Sequence, residues 1–272
     1  MAQGEGVLED MLNEIKSYWQ GFELDIVQYG TKCKLIRGWD DLFLRVDEDL
    51  GKLASMKLSP HYKTFEGEIN PWNDRLQNIR ITFDLWIDVQ KRWIYLEGIF
   101  FGSEEIKVQL TSDYNRFKDI DSQFVSLMKK VSAKPQILEV IKDSALQKTL
   151  ERLTDSLEKI QKALTTYLET QRQAFARFYF IGDEDLLEII GNSKDVYQIQ
   201  KHFSKMFAGI ASLTHENNGK DLLGMNSKEA EEVKFNSAVK IDENPKIDVW
   251  LTRLEDMMKN SLAVLLEKAV ME

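Results

Sequence analysis

Three consecutive acidic residues, Asp183, Glu184 and Asp185, lie between an aromatic segment and an apolar one, and Glu188 follows them. Carboxylates grouped in this way can hold a hard cation, share a proton or activate a water molecule. Asp183 and Asp185 could supply two ligands for such a cation. A metal-dependent hydrolase that uses Asp183, Asp185 and Glu188 is therefore one hypothesis that the sequence raises.

The same residues also fit a structural role at the start of a short helix. Asp183 is a residue type favoured at the N-cap, and the two acids after it fall in the first turn, where the helix dipole favours negative charge. Gly191 and the asparagine after it match a left-handed helix C-terminus. A calcium loop would need more oxygen ligands and a turn glycine where two leucines stand. The structural interpretation is favoured, with Asp183 and Gly191 as caps and with three aromatic packing partners upstream: Phe178, Tyr179 and Phe180.

No other catalytic or cofactor-binding pattern is found in the sequence. A phosphate-binding loop needs paired glycines and a hydroxyl after its lysine, and the nearest candidates, 191–194 and 218–221, lack both. Cys33 lies in a strand-like segment, which favours a buried, inert thiol. The histidines stand far apart and match no zinc motif: they are His61, His202 and His215. The sequence predicts no catalytic residue, no metal and no cofactor in this chain.

Composition and charge narrow the class of protein. A net charge of −9 argues against a protein that coats nucleic acid, and 43% apolar residues argue against disorder. A single cysteine fits a reducing compartment. Neither a signal peptide nor an apolar run of about 18 residues is found, so no membrane segment is expected. The sequence predicts a soluble, intracellular chain, and helix signals close to both ends predict a part of something longer.

Apolar periodicity indicates a mainly α chain, an elongated multi-helix bundle with small β-hairpin insertions near both ends. Helices are predicted over 7–19, 38–57, 61–101, 111–132, 144–175 and 195–207, and from Asn244-Pro245 to about 270. Alternating residues and turn signals predict a hairpin between 22 and 35, a second one around Asn217–Gly219 and a further strand or tight pair of strands over 233–241. Three regions are distinguished: 1–60 with a helix and hairpin, 61–176 with the long helices, and 177–272 with short helices, a hairpin and the last helix.

Two helical segments carry the most regular patterns. Trp72, Leu76, Ile79, Phe83 and Trp86 recur at 4-3-4-3 spacing, downstream of a kink or break expected at Pro71. An a/d series, typical of helices that pack at a shallow angle, favours packing within the chain over dimerisation. Its members are Leu150, Leu153, Leu157, Ile160, Leu164 and Tyr167.

Long strings of the sequence closely resemble the linker region of cytoplasmic dynein heavy chains. They include 83–100 (FDLWIDVQKRWIYLEGIF), 178–192 (FYFIGDEDLLEIIGN) and 200–209 (QKHFSKMFAG). Shorter strings resemble the cytoplasmic rather than the axonemal form: CKLIRGWDDL at 33–42, MKLSPHY at 56–62 and LMKKVS at 127–132. The resemblance runs along almost the whole chain in the same order.

This resemblance implies a non-catalytic lever. In the family, the linker arches over a ring of AAA+ ATPase modules, and its bending and straightening drives movement along microtubules. The implied partners are the AAA+ modules of the same heavy chain and, indirectly, microtubules and the dynein tail subunits, with no nucleic acid and no membrane. ATP and Mg²⁺ would bind in the ring, outside this chain. The implied location is the cytoplasm, in association with the cytoskeleton.

A lever needs joints between stiff segments. The sequence offers four candidate hinges, where helical propensity fails: Pro71, Gly98, Gly102 and Pro135. The alternative to the lever is a helical scaffold or adaptor that binds a protein partner through an exposed groove.

Overall fold

The computed structural model describes residues 2–241 and 246–271, and within them the chain forms eleven α-helices and five β-strands. The helices are α1 (Ala2–Gly21), α2 (Trp39–Met56), α3 (Tyr62–Gly102), α4 (Glu104–Gln109), α5 (Thr111–Ala133), α6 (Ile137–Val140), α7 (Leu146–Ala174), α8 (Asp183–Gly191), α9 (Val196–Gln200), α10 (Phe203–Met206) and α11 (Ile247–Met271). The strands are β1 (Ile26–Tyr29), β2 (Cys33–Ile36), β3 (Ile210–Glu216), β4 (Asp221–Ser227) and β5 (Glu232–Lys240). The prediction of a mainly α fold with small β insertions is confirmed. The predicted helix start at Asn244-Pro245 lies outside the described residues.

The contacts divide the chain into two compact units. Unit 1 comprises Met1–Gly98 and Asp113–Ile160, and unit 2 comprises Ile99–Ser112 and Gln161–Glu272. Both α3 and α7 therefore contribute residues to each unit. The predicted division into three regions at residues 60 and 176 stays a prediction. No helix among the described residues is long and apolar enough to cross a membrane.

The core of unit 1 is built on α3. The five residues of its predicted stripe are each at most 5% exposed, which confirms the stripe. The β1–β2 hairpin is fixed to this helix through the amide of Gln90, which is itself buried. The backbone N–H of Ile36 donates to Gln90 Oε1 at 3.1 Å, and Gln90 Nε2 donates to the carbonyl of Ile36 at 2.8 Å. This reciprocal pair satisfies groups on both partners that burial would otherwise leave unpaired.

Pro71 lies inside α3 without ending it. The helix runs continuously from Tyr62 to Gly102, so of the predicted kink or break at this proline the break is wrong, and the kink stays a prediction. Proline removes one backbone N–H and its ring approaches the carbonyl four residues earlier, which weakens one turn. Both flanks of that turn are anchored, because Ile69 is fully buried and Trp72 is 5% exposed. Tertiary packing therefore keeps the helix intact through the proline.

The a/d series of α7 is largely confirmed. The first five members are at most 2% exposed, but the series ends at Leu168, which is 1% exposed, rather than at Tyr167. Tyr167 is only partly buried, and this burial raises the pKa of its phenol to about 12. A straight α-helix has 3.6 residues per turn, so a strict seven-residue pattern drifts by about 20° per heptad, which by Tyr167 is about half the angle between consecutive residues.

Unit 2 contains the antiparallel sheet β3-β4-β5. The predicted Asn-Gly hairpin is confirmed as the β3–β4 connection, where Asn217, Asn218 and Gly219 all have positive φ. Strand β5 pairs with β4 and contacts α11. The single helix predicted over 195–207 is instead two short helices, α9 and α10, separated at Lys201 and His202. This turn leaves Ile199 and Phe203, on either side of it, both fully buried.

Candidate functional site: the acidic helix and the predicted joints

The ends of α8 differ from the predicted caps. Gly182 occupies the N-cap and Asp183 is the first helical residue, so Asp183 makes no capping hydrogen bond and the predicted N-cap is wrong by one position. Its carboxylate is held elsewhere: Arg172 donates to Asp183 Oδ1 at 2.6 Å and also to the carbonyl of Ile181 at 3.0 Å. The guanidinium of Arg172 thus ties the end of α7 to the start of α8. The carboxylate that local sequence assigned to capping therefore pairs with a residue of another helix.

Gly191 is also not a left-handed C-cap. It is the last residue of α8, Asn192 follows with φ −113°, and positive φ values among the described glycines occur at Gly30, Gly38 and Gly219 only. The absence of a side chain at Gly191 leaves room for Ser103, the residue that caps α4. A Cβ on Gly191 would lie 3.2 Å from Ser103 Oγ. The glycine allows α8 to pack closely against the start of α4.

The aromatic residues upstream of α8 form a short 3₁₀ helix, Ala176–Phe180. Phe178 is fully buried, as predicted for a packing partner of α8. Tyr179 and Phe180 are 55% and 70% exposed, so the prediction that they pack against the helix is wrong. Tyr179 instead donates its hydroxyl to Glu169 Oε1 at 2.6 Å. A 3₁₀ turn spreads three consecutive side chains over three directions, and only one of them faces inward.

The acidic residues of α8 separate into two environments. Asp183 faces Arg172, whereas Asp185 and Glu188 face His202, at the turn before α10. His202 Nδ1 lies 3.4 Å from Asp185 Oδ1, and His202 Nε2 lies 3.3 Å from Glu188 Oε2. The set of Asp183, Asp185 and Glu188 that a hydrolase would need is therefore not assembled as the sequence suggested.

Sequence reasoning missed His202, because periodicity within a helix does not show which residue of another helix it meets. One signal was available: His202 stands three residues after Ile199, on the side of the apolar series of Val196, Ile199 and Phe203. A titratable residue inside an apolar series indicates either a buried polar partner or a functional group. In the structure the side chain of His202 is only 7% exposed.

Two lysines neutralise part of the charge of this cluster. Lys205 Nζ donates to Asp185 Oδ2 at 2.5 Å, and Lys201 Nζ lies 3.9 Å from Glu188 Oε1. The hydrogen bond from Lys205 is the main cause that lowers the pKa of Asp185. Asp185 is therefore ionised at neutral pH and accepts from Lys205 on one oxygen while the other faces the imidazole.

The predicted joint at Pro135 is held by hydrogen bonds within unit 1. The segment on either side of the proline pairs with residues 22–24: Leu24 N–H donates to the carbonyl of Pro135 at 2.9 Å, and Ile137 N–H donates to the carbonyl of Phe22 at 3.2 Å. Gln136 adds a side-chain hydrogen bond to Glu23 at 3.0 Å. A bend at Pro135 would have to break these bonds, so it is a poorer hinge than its sequence indicated.

Gly98 and Gly102 lie near the C-terminal end of α3. Both are exposed, and a Cβ on either would meet no heavy atom within 4 Å. Gly102 is the last residue of α3, and Ser103 then caps α4 by accepting from the N–H of Ile106 at 3.3 Å. The chain passes from unit 1 to unit 2 directly after Gly98, and it passes between the units again after Ser112 and, inside α7, after Ile160.

Comparison with known proteins assigns the chain to a family. Residues 1–269 match the family model described as "Dynein heavy chain, N-terminal region 2". The chain belongs to the dynein heavy chain family. Cytoplasmic dynein heavy chains are similar along its whole length: that of Paramecium tetraurelia is 61% identical over 100% of the chain, and that of Drosophila melanogaster is 52% identical over 100%. The protein of Dictyostelium discoideum is 54% identical over 99%.

The chain spans about 6% of the length of these dynein heavy chains. The family assignment confirms the resemblance found in the sequence strings. Two of those strings lie in the elements described above: 83–100 forms part of α3, and 178–192 covers α8 with its flanks.

Proposed function

We propose that this chain is a non-catalytic mechanical lever of a cytoplasmic dynein motor. It bends and straightens over the AAA+ ring of the same heavy chain and so converts ATP hydrolysis elsewhere in the heavy chain into movement along microtubules. Its direct partners are the ring modules, and its place is the cytoplasm, as the names of its relatives indicate. The observation that carries the proposal is the match of residues 1–269 to the N-terminal region 2 of dynein heavy chains.

The stiffness that a lever needs is supported by two long helices. Helix α3 has 41 residues and α7 has 29, which correspond to about 60 Å and about 45 Å at 1.5 Å per residue. Continuous buried stripes run along both, so each helix is held by packing rather than by intrinsic helix propensity. Bending is expected where such support is weakest.

Gly98 is the joint that residue type and position favour. It is exposed, lies inside α3 and directly precedes one of the three points at which the chain passes between the two units. Glycine within a helix weakens it by about 0.5–1 kcal/mol relative to alanine. Its neighbours Leu96 and Phe100 are fully buried, so packing does not distinguish it from Pro71, whereas Pro135 is held by backbone hydrogen bonds.

The lever is tested by energy transfer in the full heavy chain. Fluorophores are attached through unnatural amino acids at Leu58 in unit 1 and Phe180 in unit 2, which are 87% and 70% exposed. We expect the transfer efficiency to differ between the ATP-bound and nucleotide-free motor. A control pair within unit 1, Leu58 and Lys142, should give one efficiency in all states. Equal efficiency for the first pair in every nucleotide state, in a motor that still moves microtubules, would contradict the proposal.

Gly98→Ala tests the joint. Alanine adds helix propensity at an open position, so it should favour the straight helix by about 0.5–1 kcal/mol, up to about fivefold in the bending equilibrium. We expect slower microtubule gliding and a smaller change in energy transfer, with the chain itself slightly more heat-stable. Gly51→Ala in α2, also exposed with no heavy atom within 4 Å of its Cβ position, is the matched control and should leave gliding unchanged. A normal gliding velocity of the Gly98→Ala motor would exclude Gly98 as the joint. It would not bear on the lever motion itself, which the energy-transfer experiment tests.

A further inference from the structure

The cluster between α8 and the turn before α10 has a feature that a simple ion-pair network does not explain. His202 is 5% exposed, and its Nε2 atom is buried with no hydrogen-bond partner among the described residues. Glu188 Oε2 lies 3.3 Å from this atom but out of hydrogen-bond alignment with it. A buried polar atom without a hydrogen-bond partner costs free energy. A bound ion or water molecule next to the atom would remove this cost.

We propose that Asp185, Glu188 and His202 form a site for one divalent transition-metal ion of the zinc class. The three side chains offer ligand atoms that all lie within 4.8 Å of one another. The ion lies between His202 Nε2 and Glu188, and water completes its coordination. This inference is independent of the lever function and depends on the geometry of unit 2 alone.

The distances fit the size of such an ion. Two ligands that are each about 2.0–2.1 Å from a tetrahedral zinc ion lie about 3.3 Å apart. The separation of His202 Nε2 and Glu188 Oε2 is 3.3 Å. The pair therefore already has the spacing of one edge of a coordination tetrahedron, and an ion can enter with little movement of either side chain.

Asp185 positions the imidazole rather than binding the ion directly. His202 Nδ1 lies 3.4 Å from Asp185 Oδ1, within ion-pair distance, and a small rotation of the ring would let an Nδ1–H donate to this carboxylate and leave the lone pair on Nε2 for the ion. Metal-binding histidines commonly donate their second ring N–H to a carboxylate in this way. Lys205, hydrogen-bonded to the other oxygen of Asp185, holds that carboxylate in place.

The donor set and the surrounding charge define the class of ion. Imidazole nitrogen with carboxylate oxygen suits zinc, cobalt and related ions, whereas Ca²⁺ and Mg²⁺ require more oxygen ligands. Lys201, 3.9 Å from Glu188 Oε1, competes for the same carboxylate. We therefore expect reversible binding that clips α8 to the turn at His202.

The test is calorimetric titration of the 272-residue chain with Zn²⁺, together with visible absorption of bound Co²⁺. We expect one zinc ion per chain, no heat with Mg²⁺, and a cobalt spectrum typical of nitrogen and oxygen ligands. His202→Gln and Glu188→Gln should abolish binding. Asp185→Asn should weaken it about 10- to 100-fold, as expected for a residue that orients a ligand.

Asp183→Asn is the matched control, because Asp183 is on the same helix but faces Arg172. It should bind zinc as the parent chain does. Binding that disappears in Asp183→Asn but persists in His202→Gln would overturn the assignment, as would the absence of zinc binding by the folded parent chain. Circular dichroism of each variant distinguishes a lost ligand from a lost fold.

Discussion

Asp49→Ala should lower the free energy of unfolding of the chain by about 3 kcal/mol. Asp49 is fully buried in α2, and its Oδ2 accepts from Trp19 Nε1 and from Arg45 Nε, both at 2.9 Å. Lys52 Nζ lies 3.3 Å from Oδ1, within ion-pair distance but without hydrogen-bond alignment. Alanine leaves the indole N–H of Trp19 buried without an acceptor and removes the buried one of the two anions, Asp49 and Glu14, that pair with Arg45 and Lys52. The change is measured by urea unfolding followed by tryptophan fluorescence.

Two variants separate the causes of this loss. Asp49→Asn keeps an oxygen for Trp19 but removes the charge, so it should cost less than the alanine variant. Asp47→Ala, on the same helix, removes an exposed carboxylate that pairs with Arg80 at 3.3 Å, and exposed pairs contribute about 0–1 kcal/mol. If Asp49→Ala were no more destabilising than Asp47→Ala, the buried hydrogen bonds would not contribute as described.

The position of Asp49 could have been noticed in the sequence. Leu42, Val46, Leu53 and Met56 form the buried face of α2, and Asp49 occupies the missing place in this 4-3-4-3 series. The pattern shows that the residue faces inward. It does not show the partner, because Trp19 belongs to α1 and the two helices meet only in the folded chain. The same reason explains why His202 was found by the structure and not by the sequence.

Local patterns predicted most of the elements, and tertiary contacts decided the rest. The long helices follow from apolar periodicity, and the β3–β4 hairpin follows from the backbone preference of Asn218 and Gly219. The errors concern positions at which a distant residue intervenes. Arg172 takes the carboxylate of Asp183, and Ser103 uses the space that Gly191 leaves. The positions of helix caps and breaks depend on such distant residues. The position of a buried stripe can be predicted from the apolar periodicity of the helix itself.

Trp93→Ala should have the largest effect on stability, about 3–5 kcal/mol, because it removes a large side chain from a packed core. Trp93 is fully buried in α3, and its ring centroid lies 4.7 Å from that of Phe124 and 5.5 Å from that of Tyr29. Its Nε1 donates to Asp121 Oδ1 at 3.0 Å, and Lys32 pairs with the same oxygen at 2.7 Å. The substitution thus loses aromatic contacts and a hydrogen bond that join the hairpin, α3 and α5. Chemical unfolding measures the loss.

A pair of phenylalanine variants separates the hydrogen bond from the packing. Trp93→Phe loses the bond to Asp121 together with part of the ring. Trp86→Phe loses a similar part of an equally buried ring, but its Nε1 has no hydrogen-bond partner among the described residues. We expect Trp93→Phe to be more destabilising than Trp86→Phe by about 1 kcal/mol, the typical net contribution of one hydrogen bond. Equal losses would mean that Asp121 finds a sufficient partner in Lys32 and that packing alone carries the contribution of Trp93.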